Sequence, residues 1–485
     1  MATVSVKPVR PGRLSELFLT IMAVLLGIGG YAATAYTRNG ELPANLGYHM
    51  LALVGVAIAG SLIVRWLTPY ADPIIFPIAV ALNGIGLAMI YRIDQSYLAK
   101  GGTSLKFVVG MRQLMWTGIA LVLFMLVLAV LKSHRKLRST PLVWMLFSLI
   151  LLVSPLIPGI GKKVNGAQIW VGLGPIRFQP GELVKVTLAI AFAGYLVSYR
   201  DRLTLGGKKF LGLRFPRFKD LGPLALVWVM SLGVLVFQKD LGTSLLLFGL
   251  FVAMLYVATD RVSWIILGLG LFGAGAFAAK QLFWHVQSRV DVWLHTFDPE
   301  IYSRRSGGSW QLAQAQFGLA SGGLFGTGWG RGYPTEVYAA NSDMILASLG
   351  EELGLTGLMA ILMLYMILIE RGIRAAFSVR DGFGKLLASG LSFSLALQLF
   401  VVAGGIFRLI PLTGLTAPFM ASGGSSLLTS WIIIALLLRI SDAARRPAAD
   451  PGPALDQQRQ VIPNSLKKAM TSAQSLAGGK REEEA

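Results

Sequence analysis

Apolar runs of about 17 to 23 residues recur along most of this chain, and nothing else in it constrains the fold as strongly. Each is long enough to cross a hydrocarbon core of about 30 Å as an α-helix. Twelve such spans are expected, near residues 14–36, 48–66, 73–91, 113–131, 141–157, 182–199, 221–237, 242–259, 263–279, 345–369, 386–407 and 424–440. Only 14% of the residues are charged, against roughly a quarter in a soluble protein. The expected fold class is therefore an all-α polytopic membrane protein.

Basic residues set its orientation. The net charge of +20 could suggest nucleic acid, but the lysines and arginines concentrate in alternate loops, as expected where cytoplasmic loops hold the positive charge. Lys7, Arg10 and Arg13 precede the first span. Lys132, Arg135, Lys136 and Arg138 form one inner loop, Arg200 to Lys219 hold a second, and Arg371, Arg374, Arg380 and Lys385 a third. Both termini are expected inside, with the first span an uncleaved anchor and no nucleic-acid partner. The chain has no cysteine, which excludes disulfides and thiolate metal sites, and its four scattered histidines make a metal cluster a poor fit. From about Pro447 the sequence turns to Pro, Gln, Ser and Ala and ends REEEA, a composition expected to stay disordered.

One outer loop stands apart. Arg289 to Asp343, within an outer segment 280–344 between the ninth and tenth spans, is long, polar, glycine-rich and aromatic. Long loops inside compact proteins are functional or disordered, and the tryptophans with Gln311, Gln314 and Gln316 argue against disorder. This loop is expected to roof an active site, with Asp298 its most important residue.

Polar residues at the ends of apolar spans mark four further places. An ionisable group in a membrane is costly and usually functional or paired. In Gln179-Pro180-Gly181-Glu182-Leu183-Val184-Lys185, Glu182 and Lys185 share a helix face, either fixing packing or meeting a ligand. In Gln238-Lys239-Asp240, Asp240 either caps the next helix or joins a site. Asp343 is followed by Glu351 and Glu352, two adjacent carboxylates that cannot share one face, so each needs its own donor or must be protonated. The segment from Arg408 through Ser422, Gly423, Gly424 and Ser425 is too rich in Pro and Gly to stay helical. Such backbone at membrane depth must line protein or water, and its N–H groups could receive an anion. In this topology Glu182, Asp240, Asp343, Glu351 and Gly423–Ser426 all lie toward the outer face, whereas the inner halves of the spans are apolar. Lys162, Lys163, Arg177, Arg289, Arg304, Arg305 and Arg408 nearby would suit an anionic ligand such as a diphosphate.

Taken in order, these motifs resemble the SEDS family (shape, elongation, division and sporulation), which includes RodA, FtsW and sporulation homologues. NGAQIW and FQPGELVK are similar to the family's NGAxxW and QPSExxK. QKDLGTS is similar to QPDLGTA, and QLAQAQFGLASGGLFGTGWG, NSDMILASLGEELGLTG and RLIPLTGLTAPFMASGGSS resemble the remaining signatures. The last wording and the twelve spans are most like the actinobacterial RodA branch. The resemblance implies a ten-helix core over residues 73–446, two extra N-terminal helices within 1–72, and a cytoplasmic tail over 447–485. WLHTFDP is similar to the start of the family's WLDPFxDPxGxGYQ, with His295 in place of the first aspartate and Asp298-Pro299 as the second. Gly181, Lys239 and Ala421 also depart from the family wording.

The family's activity implies polymerisation of lipid II, an undecaprenyl-diphosphate-linked disaccharide-pentapeptide, at the outer face of the bacterial plasma membrane. A class B penicillin-binding protein would be the transpeptidase partner. Asp298 is then the expected catalytic base. Arg289, Lys163, Gln179, Glu182, Lys185, Asp240, Gln311, Asp343, Glu351, Ser422, Gly423, Gly424 and Ser425 are expected around the substrate. The leaving diphosphate needs Arg, Lys or a divalent cation such as Mg or Mn. A lipid II flippase, a division-type polymerase and a scaffold for a synthase are the competing readings. Polarity confined to one side favours the enzyme over the flippase, which needs a route open to both leaflets.

Overall fold

Helix length and apolarity decide the architecture. The computed structural model describes residues 13–41, 46–99, 109–164, 167–173, 176–205, 208–210, 213–215 and 218–447. The tail beyond them, Lys7, Arg10, Asn165 and Gly166 lie outside the described residues, as do the side chains of the second basic loop. In chain order the helices are α1 (Arg13–Asn39), α2 (Leu46–Leu67), α3 (Ile75–Ala99), α4 (Val109–Val130), α5 (Pro141–Val153), α6 (Pro180–Leu205), α7 (Phe218–Gln238), α8 (Leu241–Thr259) and α9 (Ser263–Leu282). After them come α10 (Trp284–Leu294), α11 (Pro299–Tyr302), α12 (Trp310–Gly322), α13 (Ile345–Ser378), α14 (Gly382–Ile406) and α15 (Gly424–Arg445). Among the described residues nine helices are long and apolar enough to span a membrane, and Leu53–Leu67, Pro141–Leu156 and Gly222–Gln238 are shorter apolar helices. Together they account for the twelve expected crossings, in the expected order.

The loop between α9 and α13 is ordered by α10, α11 and α12. Beside the helices, β1 (Gly161–Val164), β2 (Ala167–Leu173) and β3 (Ile176–Phe178) form an antiparallel sheet ahead of α6, with Gly161 opposite Val171 and Val171 opposite Phe178. These segments are too short to span, and the β-branched and aromatic residues Ile169, Trp170 and Val171 suit a strand.

Packing follows from small and aromatic residues. Helices α3, α6, α14 and α15 are mostly buried inside the bundle, and α9 lies almost wholly on its surface. Phe76, Phe124 and Phe419 surround the buried Trp431 with ring centroids 5.4 to 6.1 Å from it. Where α1 crosses α3, a Cβ on Gly27 would stand 2.9 Å from the Gly84 Cα. That approach is open only to glycine, and small residues are what let helices in lipid gain close contact. At the opposite end to the ordered loop, Asp72 pairs with Arg445 and lies 3.7 Å from Arg371, joining the start of α3 to the ends of α13 and α15.

Candidate active site

Helix N-termini build the site. Those of α6, α8 and α15 meet at one end of the bundle, beside the turn that leads into α13. The Gln179 N–H donates to Ser425 Oγ at 2.8 Å, linking α6 to α15. A Cβ on Gly181 would lie 3.5 Å from the Thr243 methyl, which brings α6 against α8. The Ser422 N–H donates to the Asn341 carbonyl at 2.7 Å, holding the approach to α15 against that to α13. Each N-terminus presents the positive end of its dipole, so their meeting favours negative charge.

Buried charges line this meeting point. Lys185 Nζ donates to Glu182 Oε2 at 2.6 Å and to Gln398 Oε1 at 2.6 Å, and Gln398 Nε2 donates to the Thr416 carbonyl at 2.9 Å. The pair is buried, and the second bond from Lys185 to Gln398 offsets part of its desolvation. Asp240 caps α8, accepting from the Thr243 N–H at 3.0 Å and from its hydroxyl at 2.7 Å. Burial raises the Asp240 carboxyl above its ordinary range; Thr243 and Arg289 oppose this, and Glu182 adds to it. Asp343 is pushed up to about 6 by burial, against the pull of Arg289 and Ser342.

Arg289, on α10, acts electrostatically on both carboxylates. Its Nη1 donates to the Leu412 carbonyl at 2.7 Å. Among the described residues no carboxylate comes within ion-pair distance of it, so its remaining donors have no acidic partner. Gly414, in the left-handed region at φ 81°, lets the irregular 408–423 segment pass close by. A Cβ there would be 3.6 Å from Asp343 Oδ2 and 3.9 Å from Arg289 Nη2.

A second buried cluster fixes the loop that covers this end. Arg92, on α3, donates through Nε to Glu352 Oε1 at 2.7 Å and through Nη2 to the Gly332 carbonyl at 2.6 Å. Glu352 also accepts the Gly330 and Gly332 N–H groups, and Glu351 accepts the Tyr333 N–H at 2.8 Å. The adjacent carboxylates thus have separate donors, the first of the two expected outcomes. Gly354 breaks α13 at φ 68° and ψ −174°, a conformation open essentially to glycine alone. The freed backbone is used: the Leu355 N–H donates to the Gly323 carbonyl and the Thr327 N–H to the Glu351 carbonyl. Trp329 Nε1 reaches the Thr34 hydroxyl, so α1 also holds this loop.

Of the expected site residues, Gln179, Glu182, Lys185, Asp240, Arg289, Asp343 and Ser425 come together. Glu351 belongs to the loop clamp. The N–H groups of Ser422 and Gly423 are already taken by Asn341 and Gln113, and Gly424 packs on the Trp116 ring. Gln311 donates to the Tyr338 carbonyl at 3.3 Å, and Lys163 is exposed on β1. Asp298 stands exposed on the turn after α10, where Oδ1 accepts the Glu300 N–H at 2.9 Å and caps α11. Sequence reasoning passed over Arg92, Gln113 and Gln398. Gln398 is a lone polar residue in an apolar span, which was the available signal; Arg92 and Gln113 sit among other polar residues at span ends and gave none.

Fold and site together define a multi-pass α-helical membrane protein with a charged cluster at one end of its bundle. The family model described as cell cycle protein, covering FtsW, RodA and SpoVE, matches residues 73–446. The chain is 44% identical over 449 residues to the peptidoglycan glycosyltransferase RodA of Mycobacterium tuberculosis, covering 92% of this chain and 94% of that one. It is similar, at TM-score 0.59 and 25% identity over 78% of this chain and 99% of the other, to a structure described as "Structural coordination of polymerization and crosslinking by a peptidoglycan synthase complex". The rod shape determining protein RodA of Thermus thermophilus has the same fold, at TM-score 0.53 and 24% identity over 78% of this chain and 98% of that one. This chain belongs to the FtsW/RodA/SpoVE family.

Proposed function

We propose that this chain is a peptidoglycan glycosyltransferase of the RodA type, polymerising lipid II at the outer face of the plasma membrane during elongation. The observation that carries the reading is the cluster of helix N-termini with Arg289 and Lys185 at one end of the bundle; at the other end, Asp72 pairs with Arg445 and His134 with Asp381. The cluster suits a diphosphate held in one leaflet, and the relatives named as peptidoglycan glycosyltransferases support it. In this reading both termini are cytoplasmic, and a class B penicillin-binding protein is the partner.

The chemistry is an inverting transfer. The 4-hydroxyl of one lipid-linked GlcNAc attacks the anomeric carbon of the growing chain's MurNAc. The bond to the lipid diphosphate breaks, and the hydroxyl proton passes to Asp298. Asp298 caps α11, four residues beyond the end of the helix that carries Arg289, so a short turn connects base and diphosphate-binding side chain. Arg289, with the dipoles of α6, α8 and α15, takes the charge on the departing diphosphate. A protein-only site for Mg or Mn does not fit these residues. Asp240 and Asp343 flank Arg289, and among the described residues no three acidic or histidine side chains are grouped to hold a cation.

The test is polymerisation of purified lipid II by the full chain with its penicillin-binding protein, with moenomycin silencing classical glycosyltransferases. Wild type should make chains. Asp298→Asn should lose roughly 10²- to 10⁴-fold in rate, the usual worth of a general base. Equal chains from both would move the base to Asp343, whose raised pKa near 6 suits that role. No chains, with labelled lipid II crossing vesicles, would favour the flippase.

A further inference from the structure

We infer that the opposite, basic end of the bundle carries a binding site for an anionic phospholipid headgroup. A cavity of about 650 Å³ opens there between the turn His134–Ser139, the start of α5, the last turns of α6 and Pro223 of α7. Its polar lining is Arg135, Arg138, Ser139, Tyr195, Ser198 and Tyr199.

The fold builds this cavity. His134 is buried, and its Nε2 lies 2.9 Å from Asp381 Oδ1 at the N-cap of α14, which pins the turn to the bundle. Gly194 has no side chain to hold the turn away. A Cβ there would be 3.2 Å from Pro141 Cβ and 3.4 Å from the Arg138 carbonyl, so the turn ends directly on α6. Tyr195 and Tyr199 stack at 4.5 Å and form a firm wall. Arg135 shares its charge with Asp381 at 3.4 Å. Arg138 makes no ion pair among the described residues. The Ser139 and Ser198 hydroxyls donate to the Lys136 and Gly194 carbonyls, so the planar Arg138 guanidinium is the group suited to a phosphate diester.

A lipid, rather than a soluble phosphate, is indicated by what leads away from the cavity. On α5, Leu142, Leu146 and Ile150 recur every four residues and are 57–64% exposed. On α7, Leu226, Val229 and Met230 are also exposed. These stripes run from the cavity mouth along the bundle for on the order of 12 Å, at 1.5 Å per residue, and acyl chains can lie on them. Basic pockets between membrane helices are favoured sites for anionic headgroups.

Native mass spectrometry of the purified full chain tests this, titrating phosphatidylglycerol against phosphatidylcholine of the same acyl chains. Wild type should prefer phosphatidylglycerol by roughly fivefold per engaged arginine. Arg138→Gln should cut that preference about fivefold, and Ser198→Trp, which fills the cavity without changing charge, should nearly abolish it. Arg380→Gln, which removes an exposed charge outside the cavity, should leave it unchanged. An unchanged preference in Arg138→Gln and Ser198→Trp would overturn the site. So would an equal loss in Arg380→Gln, which would mean diffuse charge alone. Displacement of the lipid by millimolar glycerol phosphate would overturn the lipid assignment in favour of a soluble ligand.

Discussion

Removing Arg92 should loosen the loop around residues 328–336 without unfolding the bundle. Its guanidinium and the Glu352 carboxylate are both about 1% exposed or less, and they meet at 2.7 Å. Stripping one partner from a buried ion pair costs about 3–5 kcal/mol, because the other charge is left uncompensated. Glu352 would keep the Gly330 and Gly332 N–H donors, which brings the expected cost of Arg92→Leu toward the lower end, about 3 kcal/mol. The pair joins one loop to α3, so the cost should appear as local opening of residues 328–336. At about 1.4 kcal/mol per factor of ten, amide exchange there should accelerate roughly a hundredfold. Exchange in the cores of α14 and α15 should hold. In the double variant Arg92→Leu with Glu352→Gln, the neutral amide still accepts from the loop, and much of the loss should be recovered. Hydrogen exchange with mass spectrometry on all three variants gives the cycle. If the double variant opens as much as the two single effects added, with coupling below about 0.5 kcal/mol, the pair is not the clamp.

Three further outcomes follow from the geometry. Asp343 has its folded pKa raised to about 6 by burial, so its contribution to stability is full below the unfolded value near 4 and is lost as pH rises through 6. Melting temperatures between pH 5 and 7.5 should fall more for wild type than for Asp343→Asn, and parallel profiles would assign the slope elsewhere. Gly27→Val sets a Cβ against the Gly84 backbone and should cost about 1–3 kcal/mol, while Gly29→Val, with nothing within 4 Å, should not; equal melting of the two would refute the close crossing of α1 and α3. Gly354→Ala meets both a glycine-only conformation and the Gly326 N at 2.2 Å, and should cost more than the 1–3 kcal/mol of backbone strain alone. Gly270→Ala on the exposed face of α9 should be neutral or stabilising by about 0.5–1 kcal/mol, and a thermal melt ranking the two the other way would contradict the break in α13.

The crossings were written in the sequence because each is a local property: an apolar run must become a helix to satisfy its own backbone in lipid. Their order, the ordered long loop between α9 and α13 and the opposed directions of Glu351 and Glu352 could be read the same way. So could the Glu182–Lys185 pair, whose spacing of three places both on one face. Tertiary structure alone decided which polar groups meet. Gln398 closes on Lys185 from 213 positions away, and Arg92 reaches Glu352 across 260. No local pattern encodes a contact made when two helices pack at one level. Packing also drew Arg289 between Asp240 and Asp343 and left Asp298 exposed on the turn beyond it. Desolvation, set by what surrounds a group in space, raised Asp343 toward neutrality, and no reading along the chain could supply it.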